Sequence, residues 1–98
     1  MLVVIATPEI DRATVAEFRA ELDDGVAAHR RCGDPELVVD LRGVRLLDST
    51  GVRALIDAER VVVASGGRLV VHAEGVVRRV LEITGLWERV GDDVGTAG

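Results

Sequence analysis

The 98-residue chain contains no lysine, and all twelve of its basic residues are arginine. That excludes a phosphate-binding P-loop, whose lysine must reach the β- and γ-phosphates, and it removes any lysine Schiff base or lysine general base. It also argues against a phosphoacceptor receiver site built around an aspartate and a lysine. Tyrosine is absent too, and Phe18 and Trp87 are the only aromatics, so little is left for nucleic-acid bases to stack on. Cys32 stands alone, which rules out an internal disulfide and a cysteine-rich metal centre. No apolar run is long enough for a membrane span and no signal peptide is recognisable, so membrane insertion is not expected and the cytoplasm is the expected compartment.

What is present is aliphatic and acidic. Valine occurs 18 times within a 48% hydrophobic composition. Surface scaling for a chain of this size gives burial of roughly 64% of the unfolded surface, enough for a core without staples. Seventeen acidic residues against twelve arginines give a net charge of −5, which repels a phosphate-rich partner and makes nucleic acid an improbable one.

Along the chain, Leu2–Ala6 is a short apolar run and reads as a buried strand, ended by Thr7-Pro8. Asp11 is placed to cap a helix over about 12–31, where Val15, Phe18, Leu22 and Val26 recur at helical spacing. Gly25 interrupts it at about 1 kcal/mol relative to alanine, so its last turn is expected to fray. Leu37-Val38-Val39 marks a central strand. A second helix is expected over about 50–65, with Val52, Leu55, Ile56, Val62 and Val63 on one side. Gly66-Gly67 closes it, and Arg68–His72 forms the next strand. A third helix over about 75–84 turns Val76, Val77, Val80 and Leu81 inward and stops at Gly85. Leu86–Val90 reads as a short strand or turn. This β-α-β-α-β-α order predicts an α/β fold with right-handed parallel crossovers, as one domain over 1–90 with a loose tail over 91–98.

The most informative stretch is Asp48-Ser49-Thr50-Gly51, a small polar tetrapeptide between Leu46-Leu47 and an apolar helix. Asp48 or Ser49 serves at least as a helix cap. The same position offers free N–H groups and a positive dipole end, where a serine hydroxyl can accept a phosphoryl group and gain a charge of about −1.5 to −2. Gly51 is expected to keep the helix end thin enough for a partner to approach. In a parallel sheet Asp11 and Ser49 would lie on the same edge, although a plain helix cap accounts for Asp11 as well.

Elsewhere the ordinary readings prevail. His29 suits the negative end of a helix, His72 has no ligand-spaced partner, and Cys32 reads as an inert thiol. Ser65-Gly66-Gly67-Arg68 has phosphate-loop composition but follows a helix and precedes a strand, so it is a cap and turn. Trp87 is expected to pack rather than anchor an interface.

Four blocks in register resemble the anti-sigma factor antagonists built on the STAS domain: Glu9-Ile10-Asp11, then Leu37–Val44, then Asp48-Ser49-Thr50-Gly51-Val52, and finally Gly66–Val71 with Val77–Leu86. The resemblance implies a mixed, mostly parallel sheet of about four strands. The family's usual first edge strand has no counterpart ahead of Leu2. An open edge of that kind leaves hydrogen-bonding groups for self-pairing as a homodimer, and a start site other than Met1 accounts for it as well. It further implies a partner switch. The unmodified protein binds an anti-sigma factor serine kinase and frees its sigma factor; phosphorylation of Ser49 ends the complex, and a serine phosphatase resets it. Carried over by position, Ser49 is the phosphoacceptor, and Asp11, Asp48, Thr50, Gly51 and Arg53 form the partner-binding surface. ATP and metal belong to the kinase, so no cofactor is expected here. A second reading is a passive STAS adaptor in a signalling assembly or on a lipid-transport ATPase. A small enzyme is the third, disfavoured by the missing lysine and the dispersed histidines.

Overall fold

The computed structural model describes residues 1–91. Its elements run β1 (Leu2–Val4), β2 (Glu9–Ile10), α1 (Val15–Cys32), β3 (Glu36–Asp40), β4 (Leu46–Leu47), α2 (Ser49–Ala64), β5 (Arg68–His72), α3 (Gly75–Ile83) and α4 (Trp87–Val90). Strands β1, β3 and β5 form a parallel sheet in that order, with Leu2, Val38 and Val70 in one row and Val4, Asp40 and His72 in another. A separate parallel pair joins β2 to β4. The expected α/β architecture is present, with its strands divided between two sheets rather than gathered in one of about four.

The two faces of the sheet differ because successive side chains along each strand point to opposite sides. Leu37, Val39, Leu69 and Val71 are at most 1% exposed on the side where α1 and α2 pack, together with Phe18, Leu22, Leu55 and Val62. These residues belong to one continuous core. Leu2 and Val4 point the other way and are exposed.

Several expectations need correction. Helix α1 starts at Val15 rather than Arg12, because Asp11–Thr14 form a turn that feeds it. Gly25 does not fray the helix, which runs on to Cys32 and ends on left-handed Gly33. It is buried instead: a Cβ there would sit 2.6 Å from Val3 Cγ2, so the glycine lets α1 settle onto β1. Val63 and Val76 point outward, since the buried stripes are Val52, Leu55, Ala58 and Val62 on α2 and Val77 and Leu81 on α3. Leu86–Val90 is neither strand nor turn but the short helix α4 with its lead-in residue. Trp87 packs as expected, 6% exposed, with the Arg78 guanidinium 4.9 Å from its ring centre. Gly91 bridges Val71, and the rest of the proposed loose tail lies outside the described residues.

His29 is buried, and neither ring nitrogen has a hydrogen-bond partner among the described residues, so it is not the exposed helix-end residue its position suggested. Gly67 passes over it so closely that a Cβ would stand 2.9 Å from His29 Cε1. Among the described residues no helix is long and apolar enough to cross a membrane.

Candidate functional site

The β2–β4 pair builds the site. Its register sets Ile10 beside Leu47, and the Asp48 N–H donates to the Ile10 carbonyl at 3.0 Å. The two strands therefore deliver Asp11 and Asp48 side by side, one leading to α1 and the other to α2. Both carboxylates are then occupied locally. One Asp11 oxygen accepts from the N–H groups of Ala13 (2.9 Å) and Thr14 (3.1 Å), and the Asp11 N–H donates to the Thr14 hydroxyl. Asp11 thus stiffens the turn into α1, one turn before the position at which it would cap the helix itself.

Asp48 is the cap of α2. Its Oδ1 accepts from the N–H groups of Thr50 (2.9 Å) and Gly51 (3.4 Å) and from the Thr50 hydroxyl. The Thr50 hydroxyl holds the Asp48 carboxyl below the usual aspartate range, helped by those two backbone N–H groups and by the positive charge of Arg12. Asp48 is therefore an anion fixed beside Ser49 at neutral pH.

Ser49 opens α2 and is exposed, and its hydroxyl has no hydrogen-bond partner among the described residues. It lies on the rim of a groove of about 600 Å³ whose walls include Val15, Val52, Ile56 and Thr84. Arg53, one turn along α2, is exposed on the same rim and has no ion pair among the described residues. Arg19, on the wall of the same groove, reaches across from α1 to Asp57 of α2 at 3.1 Å, in an exposed ion pair.

Of the residues singled out in the sequence, Ser49, Thr50 and Arg53 line this groove, while Asp11 and Asp48 are outside its lining and hold the turns into α1 and α2. Gly51 has a different role from the expected one. It is buried, and a Cβ there would lie 2.7 Å from Ile10 Cγ2 and closer still to Leu47 Cδ1. The missing side chain makes room for the β2–β4 pair beneath the helix and not for a partner above it. The sequence did not single out Val15, Ile56 and Thr84 as site residues. Val15 and Ile56 follow the apolar spacing of core residues and differ only in being half-exposed. The site has no grouping of histidine, cysteine and carboxylates suited to a metal among the described residues.

Two outcomes follow for stability. Asp48→Ala removes the cap and is expected to cost about 0.5–2 kcal/mol, whereas Ser49→Ala, which caps nothing, should stay within about 0.5 kcal/mol of wild type in urea melts. Acid supplies the second. Asp40, held below the usual range by Arg42 through a side-chain and a backbone hydrogen bond, and Asp48 both have lowered folded-state values. Their contribution is complete above the unfolded value of about 3.9 and is lost as pH falls through the folded one. Thermal melts across this range should show stability falling below about pH 4. The gap between wild type and Asp48→Ala should narrow there; a constant gap would mean that the Asp48 charge contributes nothing.

Comparison with known proteins identifies the family and the fold. A family model described as "Mlab, STAS domain" matches residues 2–91. The match spans nearly the whole chain, which belongs to the STAS domain family. Among solved structures it is similar to a "putative anti-sigma factor antagonist" from Thermotoga maritima, at 20% identity and a TM-score of 0.71, covering 98% of this chain and 83% of that one. It is also similar to the Bacillus cell fate determinant SpoIIAA in its phosphorylated form, at 18% identity and a TM-score of 0.61, covering 98% and 85%. No curated protein matches the sequence.

Proposed function

We propose that this STAS domain is a cytoplasmic anti-sigma factor antagonist. Its unphosphorylated form binds an anti-sigma factor serine kinase and releases the sigma factor, and phosphorylation of Ser49 switches binding off until a serine phosphatase restores the hydroxyl. One observation carries the reading: an exposed serine with an uncommitted hydroxyl stands on the rim of an apolar groove, beside a carboxylate held ionised. A kinase can reach that oxygen without unfolding anything, and the groove supplies apolar surface for a partner. Both solved relatives carry descriptions that fit this role, one as an anti-sigma factor antagonist and one in a phosphorylated form.

A second reading is favoured by the family model, whose description names Mlab. Here the same groove docks permanently onto a larger assembly, such as a lipid-transport ATPase, and Ser49 is never modified. Capture from native cell extract with ADP, on immobilised wild type and Ser49→Asp, separates the two. A serine kinase of the anti-sigma type held by wild type and lost by the variant supports the switch. A transporter subunit or scaffold held equally by both refutes it and supports the adaptor.

A further inference from the structure

Ser49, Arg53 and Asp57 recur at steps of four along α2, so their side chains follow one another on one helix face, a turn apart. Arg53 and Asp57 are neighbours in that row, yet they do not pair. Asp57 bonds across the seam to Arg19 of α1 at 3.1 Å. The Arg53 guanidinium has no hydrogen bond or ion pair among the described residues. Charge order accounts for part of this. On a helix an anion is better placed four residues before a cation than four after it, because each charge then suits the nearer end of the dipole. Arg53 with Asp57 runs the poorer way, whereas an anion at position 49 with Arg53 runs the better way.

The groove supplies a second observation. Among its lining residues the charged ones are Arg19 and Arg53, both positive, in a chain of net charge −5. With Arg19 engaged by Asp57, Arg53 is the uncommitted charge of the lining among the described residues, beside Val52 and Ile56. A protein settling on this wall strips water from the guanidinium. That costs free energy unless the arriving surface brings an anion. Arg12 also acts on the Asp48 carboxylate, but it precedes α1 and is not part of the groove lining.

We propose that Arg53 exchanges partners. With Ser49 unmodified it takes a carboxylate that the bound protein presents among apolar side chains; with Ser49 phosphorylated it turns back one helical turn to the phosphate. The proposal rests on the switch proposed above and adds how the complex is released. Phosphorylation then acts twice, placing charge on the rim and withdrawing the cation that had answered the partner's carboxylate. Arginine suits both states, because its guanidinium offers paired N–H donors to a carboxylate or a phosphate alike. The Arg19–Asp57 bridge contributes by occupying Asp57, which would otherwise compete for Arg53 from the next turn.

Phosphoserine installed at position 49 during synthesis of the 98-residue chain tests the phosphorylated state without any partner. Phosphorus NMR follows its second ionisation, ordinarily at about pH 6. Arg53→Gln should raise the midpoint by about 0.3–0.5 pH unit, since a neighbouring cation favours the dianion. Arg53→Lys should keep most of the wild-type value. Arg60→Gln, which removes the same charge eleven residues from Ser49, should leave the midpoint unmoved. Equal midpoints for wild type and Arg53→Gln overturn the proposal. Isothermal titration of the captured kinase reads the unmodified state. Arg53→Gln should weaken binding about tenfold, and Ser49→Asp should cost about tenfold less in the Arg53→Gln background than in wild type. Equal affinities for wild type and Arg53→Gln overturn the exchange even where the phosphorus shift is seen. Capture of no kinase is a different failure, which removes the switch itself and the exchange with it.

Discussion

Gly51→Ala is expected to lower stability by about 1–3 kcal/mol, although glycine-to-alanine within a helix ordinarily gains up to about 1 kcal/mol. Geometry reverses the sign. The added methyl would sit 2.7 Å from Ile10 Cγ2 and nearer still to Leu47 Cδ1, and both side chains are at most 2% exposed in the floor of the site. Neither can swing away into solvent, so relief requires α2 to lift off the β2–β4 pair. At roughly 4–8 °C per kcal/mol for a chain of this length, the shift is readily read in a thermal melt. The neighbouring Ser49→Ala serves as the control, since its hydroxyl is exposed and unbonded. An unchanged or raised Tm for Gly51→Ala would show that helix and floor are less tightly packed than this geometry requires. The effect also bears on function, because a lifted α2 displaces Ser49 from the groove.

The contrast between Gly51 and Gly25 on one side and Ser49 on the other shows what the sequence could convey. Helix and strand periods were legible because Phe18, Leu22 and Val26, or Leu37 and Val39, repeat at spacings that only one kind of element can bury. The Asp48-Ser49-Thr50-Gly51 motif was legible because small polar residues before an apolar helix have few uses. Close approach was not legible. Both glycines are empty spaces shaped by residues far away in sequence, Val3 for Gly25 and Ile10 for Gly51, and no local pattern records such a partner. Strand β2 went unseen as well, since two residues are too few to show a period; its pairing with Leu46-Leu47 is purely tertiary. The outward valines Val63 and Val76 misled for a related reason. In a chain so rich in valine, apolar identity alone does not tell which side of a helix is buried. Nor did composition show that one carboxylate would serve as the cap and leave the serine beside it free.

That division of labour between Asp48 and Ser49 underlies the largest functional effect. Ser49→Asp is expected to weaken binding to the captured kinase by at least about a hundredfold, equivalent to about 2.7 kcal/mol, while Ser49→Ala binds as wild type and cannot be phosphorylated. In a protein lacking Asp48, a new negative charge at the start of a helix would be drawn to the free N–H groups there. Here the N–H groups of Thr50 and Gly51 already bond to the Asp48 carboxylate, so the added charge finds no backbone donors at those positions and projects over the groove. It also meets a second negative charge, because Asp48 stays ionised. Arg53, one turn along, and Arg12 offer two positive charges against Asp48 and the −1.5 to −2 or so of a phosphoserine, and so the rim stays net negative. Burying an uncompensated charge against a partner that had fitted a neutral hydroxyl costs several kcal/mol, which breaks the complex without refolding either protein. Isothermal titration of the three forms against the captured kinase reads the effect directly. Equal affinities for wild type, Ser49→Ala and Ser49→Asp would mean that the serine rim does not face the partner, and the switch would have to be abandoned for a passive docking role.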